Sequence, residues 1–83
     1  MAFLKKSKNK TLVVPSNITL IEEDAYYNND YIKQVILHEK IKSIGDSAFY
    51  MCTSLKKINL PESISSIDEN AFDFCSSLKE AII

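Results

Sequence analysis

Few side chains in this sequence belong to types that do covalent chemistry, and their spacing limits what they can do. The thiols are Cys52 and Cys75, and the single imidazole is His38. A nucleophile needs a base held beside it, so His38 would have to serve either thiol. A zinc site needs three or four well-placed ligands. His38, Cys52 and Cys75 fall short of that number and sit on different sides of the repeat described below. One glycine, Gly45, cannot build a phosphate-cradling loop. The acid pairs Glu22-Glu23 and Asp68-Glu69 are placed to start short helices, where they complement the dipole. No catalytic residue, metal or cofactor is expected. What recurs instead is a cation: Lys10, Lys33, Lys56 and Lys79 follow one another every 23 residues. A charge repeated at fixed spacing is a surface property, suited to holding an acidic partner rather than to transforming it.

The element that sets this spacing is a repeat. Val35–Lys57 and Ile58–Glu80 align without gaps, and 11 of the 23 positions are identical, among them Leu37/Leu60, Ile41/Ile64, Ile44/Ile67, Phe49/Phe72 and Cys52/Cys75. A worn copy runs from Leu12 to Gln34 and keeps Leu12, Val14, Ile18, Ile21, Ala25, Tyr26 and Ile32. Ala81-Ile82-Ile83 opens a partial fourth unit, and residues 1–11 form a lead-in in which Ala2-Phe3 falls in register with Ala25-Tyr26. Its lysines read as a solvated, frayed end. A fixed period of this length is the signature of a solenoid.

Each unit has three parts. Leu55-x-x-Ile58-x-Leu60 and its equivalents alternate as a strand with one buried face, ended by Pro15 and Pro61, with His38 in that place in the middle unit. Ile64-x-x-Ile67 and its equivalents read as a second extended segment or a bend, followed by Glu22, Gly45 or Asp68. That column is too mixed to demand a positive φ. Asp46-Ser47-Ala48-Phe49-Tyr50-Met51-Cys52 reads as a short helix capped by Asp46 or Ser47. Stacking the units aligns like side chains into columns such as Tyr26-Phe49-Phe72 and Ala25-Ala48-Ala71. The cysteines share one inward column with Asn29. Coil spacing can bring them within disulfide range, but buried free thiols are the stronger reading.

The chain has 83 residues, 46% of them hydrophobic and 25% charged, with a net charge of −1. One repeat domain over residues 1–83 is the natural count. Burial of about 63% of the unfolded surface would suit a globular chain of this size, and an elongated coil should bury less. The near-neutral charge argues against nucleic acid, and no apolar run has the ~20 residues needed to span a bilayer. The N-terminus lacks the apolar core of a secretory signal. The expected location is cytoplasmic if the chain is complete and the cell surface if it is a fragment.

The repeated I-x-x-I-G-D-S-A-F-Y-M-C-T-S-L-K-K-I-N-L-P pattern closely resembles the BspA-like leucine-rich repeats from Leu12 onward. The resemblance implies an α/β solenoid: a right-handed coil with a parallel concave β-sheet, short helices or turns opposite, and a role in protein–protein recognition, often within large adhesive surface proteins. On that sheet the residues outside the apolar frame form three outward columns. They are Lys10, Lys33, Lys56 and Lys79; Thr11, Gln34, Lys57 and Glu80; and Val13, Ile36, Asn59 and Ile82. The expected footprint for a protein partner is Lys10, Lys33, Lys56, Lys57, Lys79, Val13, Ile36 and Asn59. A second patch, Tyr27, Tyr50, Met51 and Phe74, falls on the opposite side and reads as partly buried against the outer wall. Ala81, Ile82 and Ile83 form an apolar edge strand suited to homodimer formation. The expected function is a non-enzymatic binding module, the alternatives being a self-associating unit or fragment of a surface protein, or a small soluble inhibitor.

Overall fold

A computed structural model describes residues 10–82; the lead-in Met1–Asn9 and Ile83 lie outside the described residues. Among the described residues seven short strands are formed: β1 (Thr11–Val13), β2 (Leu20–Ile21), β3 (Gln34–Ile36), β4 (Ser43–Ile44), β5 (Lys57–Asn59), β6 (Ser66–Ile67) and β7 (Glu80–Ile82). They alternate between two parallel sheets, one ordered β1-β3-β5-β7 and the other β2-β4-β6. Pairing always joins residues one repeat apart, as in Leu12↔Val35, Val35↔Ile58 and Ile44↔Ile67. The chain therefore coils, and each coil lays its strands on those of the coil before.

The apolar frame fills the space between the two sheets and a third, turn-built arm. Ile41, Ala48, Phe49, Cys52, Leu55, Ile58 and Ala71 are all at 0% exposure. The rings of Tyr26, Phe49 and Phe72 stack in sequence, with centroids 5.4 Å apart at each step and interplanar angles of 15° and 2°. Equivalent side chains thus lie directly over one another, and the middle coil is covered on both sides. Towards the C-terminal side the cover thins, and Ile67 is 41% exposed although its equivalent Ile44 is at 1%.

The third arm differs from expectation. Among the described residues there is no helix; the arm is a run of tight turns. Alternate amides explain it. In the second coil, Ala48, Tyr50 and Cys52 donate three residues back, to Gly45, Ser47 and Phe49, while Phe49 and Met51 donate across to Ala71 and Asp73 of the next coil. In the first coil, Asp24, Tyr26 and Asn28 likewise donate to Asp46, Ala48 and Tyr50. An α-helix would keep every amide within the segment. Here half of them tie coil to coil. The alternation requires left-handed residues, and Asp24, Asn28, Ser47, Met51 and Phe74 have φ between 57° and 61°, a conformation that a continuous right-handed helix cannot contain. Ser47 is thus a turn residue rather than a helix cap, and its hydroxyl lies 3.4 Å from the Asp46 carboxylate.

The shape also differs from expectation, while Gly45 behaves as its mixed column allowed. The radius of gyration is 11.3 Å and the extents are 26 × 23 × 20 Å, close to the value of about 11–12 Å for a globular chain of this length. So few coils make a stack no taller than it is wide. Gly45 has no positive φ; it is there because a Cβ would lie 2.9 Å from the Glu23 amide nitrogen and 3.1 Å from the Ile21 carbonyl oxygen.

Candidate partner-binding surface

The lysine column is built by the backbone itself. Lys33 donates to the Lys10 carbonyl at 2.7 Å, Lys56 to Lys33 at 2.8 Å and Lys79 to Lys56 at 3.1 Å. Each lysine stands just before a strand of the four-stranded sheet and all four are exposed, although Lys10 alone among them has a left-handed backbone, with φ of 62°. Their spacing is that of adjacent strands, about 4.8 Å. Lys57, exposed, begins β5 beside them, opposite Gln34 on one side and Glu80 on the other.

Along the far edge of the same face, Val13 is 61% and Ile36 40% exposed. Asn59 continues their column but does different work. Its Oδ1 accepts from the Leu37 amide at 2.7 Å and its Nδ2 donates to the Leu37 carbonyl at 2.9 Å. The side-chain amide thereby extends the ladder by one peptide past the end of β3 and is half-buried in doing so. A lone Asn in a β-branched column was the available signal for this role. Asn29 has a similar one: its Oδ1 accepts from the Tyr31 and Ile32 amides at 3.2 Å each, closing the corner into the next coil. Of the proposed self-association segment, Ala81 and Ile82 belong to β7, at the edge of the four-stranded sheet. Ile83 lies outside the described residues.

The residues with chemical potential take structural places. His38 Nε2 donates to the Pro15 carbonyl at 2.9 Å while Nδ1 accepts from the Lys40 amide at 3.1 Å. The second contact places the ring proton on Nε2, and the imidazole stitches the second coil to the first. Cys52 and Cys75 are free thiols donating to the Tyr26 and Phe49 carbonyls at 3.2 and 3.0 Å. Hydrogen bonding with the Cys75 thiol, reinforced by burial, pushes the Cys52 thiol well above its ordinary range. Thiolate is the reactive form. Native protein treated with iodoacetamide at mildly alkaline pH should therefore be alkylated at Cys75, which is half-buried, while Cys52 reacts only in denaturant. Peptide mapping by mass spectrometry reads this, and equal labelling of both thiols in native protein would contradict the closed column. Among the described residues no group of three or more His, Cys, Asp or Glu side chains is placed to hold a metal ion.

Parallel strands in constant register, tied by turns and carrying a recurrent apolar frame, define a leucine-rich-repeat coil. The chain belongs to the BspA type leucine rich repeat family, whose repeat region (6 copies) matches residues 1–83. A leucine-rich repeat protein from Bacteroides capillosus aligns over 92% of this chain and 78% of its own, with 22% identity and a TM-score of 0.62. That likeness is one of fold. A leucine rich cell surface protein from Faecalibacterium prausnitzii aligns over 88% of this chain with 19% identity and a TM-score of 0.44, and this chain spans 31% of it. No curated protein matches the chain. Among the described residues no helix is long and apolar enough to cross a membrane.

Proposed function

We propose that this chain is a non-enzymatic protein-binding module. Its lysine-railed sheet, the concave face of a right-handed coil, receives an acidic surface of a partner protein. The reading rests on one observation: four lysines, one per coil, whose backbones are hydrogen-bonded in series and whose side chains are all exposed. Like charges at this separation repel by about 1 kcal/mol per pair even in a water-like dielectric. A partner carboxylate set between two lysines turns that repulsion into attraction. Exposed Val13 and Ile36 supply apolar contact beside the rail, and Lys57 widens it. Family membership accords with this reading, and with a place in a longer surface protein.

Charge reversal tests it. In the Lys33→Glu/Lys56→Glu double variant, association with a partner recovered by pull-down should slow about tenfold or more, and the wild-type rate should fall steeply with added salt. Unchanged association would discard the sheet as the binding face. A second reading, self-association through β7, is favoured by that strand's place at a sheet edge. Light scattering over a concentration series decides it, since a strict monomer rules out pairing of copies there.

A further inference from the structure

The turn-built arm exposes aromatic rings that the core does not take up. Tyr27 and Tyr50 stack with centroids 5.0 Å apart and an interplanar angle of 9°. Phe74 meets Tyr50 edge-on at 5.4 Å and 77°. These rings are not absorbed by the core. Tyr27 is 51% and Phe74 65% exposed, and Met51 beside them is 38% exposed. The repeat would place a third aromatic at position 73, and the chain has Asp73 there instead, next to Phe74. The ladder thus ends in two rings at near right angles with a carboxylate in register.

Charge is segregated around it. Eight of the 11 acidic residues, Glu22, Glu23, Asp24, Asp30, Asp46, Asp68, Glu69 and Asp73, fall in the segments 22–31, 45–54 and 68–77 that build this arm, and none of the ten lysines does. Faces of exposed aromatic rings attract cations, and carboxylates at the rim add to that field. Residue types in one column point the same way. Asn28, Met51 and Phe74 occupy equivalent places, all with φ of 57° to 61°. Asparagine tolerates that conformation, whereas Met and Phe adopt it against their steric preference. Core packing does not account for the two large apolar residues, since Phe74 is 65% and Met51 38% exposed.

We infer that the arm formed by Tyr27, Tyr50, Met51, Phe74 and Asp73 is a docking surface for a basic, arginine- or lysine-bearing peptide segment of another protein. The cations lie on the ring faces that stacking leaves open and are neutralised by the arm's carboxylates. This surface is separate from the sheet face proposed above and stands or falls without it.

The test titrates the full chain with an oligo-arginine peptide and, as control, an oligo-glutamate peptide, following tyrosine fluorescence and heat. Saturable binding to the cationic peptide alone is expected. Phe74→Gly and Tyr27→Leu should each weaken it by about two- to fivefold. Asp73→Asn should weaken it as well, while Lys33→Glu/Lys56→Glu should not. Glycine accepts a φ of 61°, so Phe74→Gly keeps the fold, and its melting curve verifies this. Affinity unaltered by both ring substitutions would reduce the arm to unspecific charge attraction and overturn the inference. So would absence of binding. Concentration-dependent association of the protein that disappears in Lys33→Glu/Lys56→Glu would show that the arm's occupant is the lysine rail of a second copy, which also overturns it.

Discussion

Phe49→Ala is expected to cost the protein about 3–5 kcal/mol, a quarter or more of its folding stability. Phe49 is fully buried between the rings of Tyr26 and Phe72, each 5.4 Å away. Removing a buried Phe costs about 3–5 kcal/mol, from lost transfer energy and the cavity left behind. A chain of this length has about 4–12 kcal/mol of stability in total. Two neighbours also lose a stacking partner at once, so the cavity lies between coils rather than within one. Phe49→Leu, which keeps most of the volume, should cost much less, about 1–2 kcal/mol. Urea denaturation followed by circular dichroism measures both. The control is Phe74→Ala: the same residue type, 65% exposed, should shift stability by no more than about 0.5 kcal/mol. Equal losses at Phe49 and Phe74 would mean that the columns are not what holds the coils together.

The frame of the fold was legible because a repeat writes its core more than once. Leu37, Ile41, Ile44, Phe49 and Leu55 recur at fixed spacing, and the structure stacks each with its equivalents in the same order. The lysine rail followed from the same register. The third arm was not legible from residue type. Ala48-Phe49-Tyr50-Met51 is a fair helix former by local propensity, but the competing bonds come from another coil, as when the Phe49 and Met51 amides reach Ala71 and Asp73. Local preference cannot register a partner more than 20 residues away. For the same reason the left-handed φ at Met51 and Phe74 was unforeseeable, since those side chains argue against it. Asn59 looked outward by strand alternation, and its backbone does fit that column; its amide turns back to Leu37 because the ladder there has a peptide to satisfy.

The two faces differ in how they were legible. The lysines are one residue type in one column, so counting found them. The acids of the arm were legible only in part: Glu23, Asp46 and Glu69 share one column, whereas Asp24, Asp30 and Asp73 each stand in another. Acids and lysines fall in different segments of each coil although the net charge is only −1, and an uneven field of this kind orients a charged partner before contact. Association at either face should therefore be steered by charge and suppressed by salt.

Gly45→Ala should destabilise the protein by about 1–2 kcal/mol, although alanine usually improves on glycine at negative φ. The unfolded-state gain from Gly→Ala is about 0.4–1 kcal/mol. Against it stands the added methyl, which would lie 2.9 Å from the Glu23 nitrogen, 3.1 Å from the Glu22 carbonyl carbon and 3.1 Å from the Ile21 oxygen. All three are backbone atoms of the preceding coil, so no rotamer change relieves the contact, and overpacking of this kind costs about 1–3 kcal/mol. Relief has to come from moving the first coil away from the second. That strains the Gly45–Ile21 hydrogen bond of 2.8 Å and, just beyond it, the Asp24–Asp46 bond of 3.0 Å. The loss should therefore be directional. Hydrogen exchange at Asp24, Tyr26 and Asn28, whose amides bond upward to the second coil, should quicken in Gly45→Ala, while Phe49 and Met51, bonded to the third, keep their protection. Faster exchange spread evenly over both interfaces would show that the coils unfold as one body and that the tight approach at Gly45 is not the joint between the first and second.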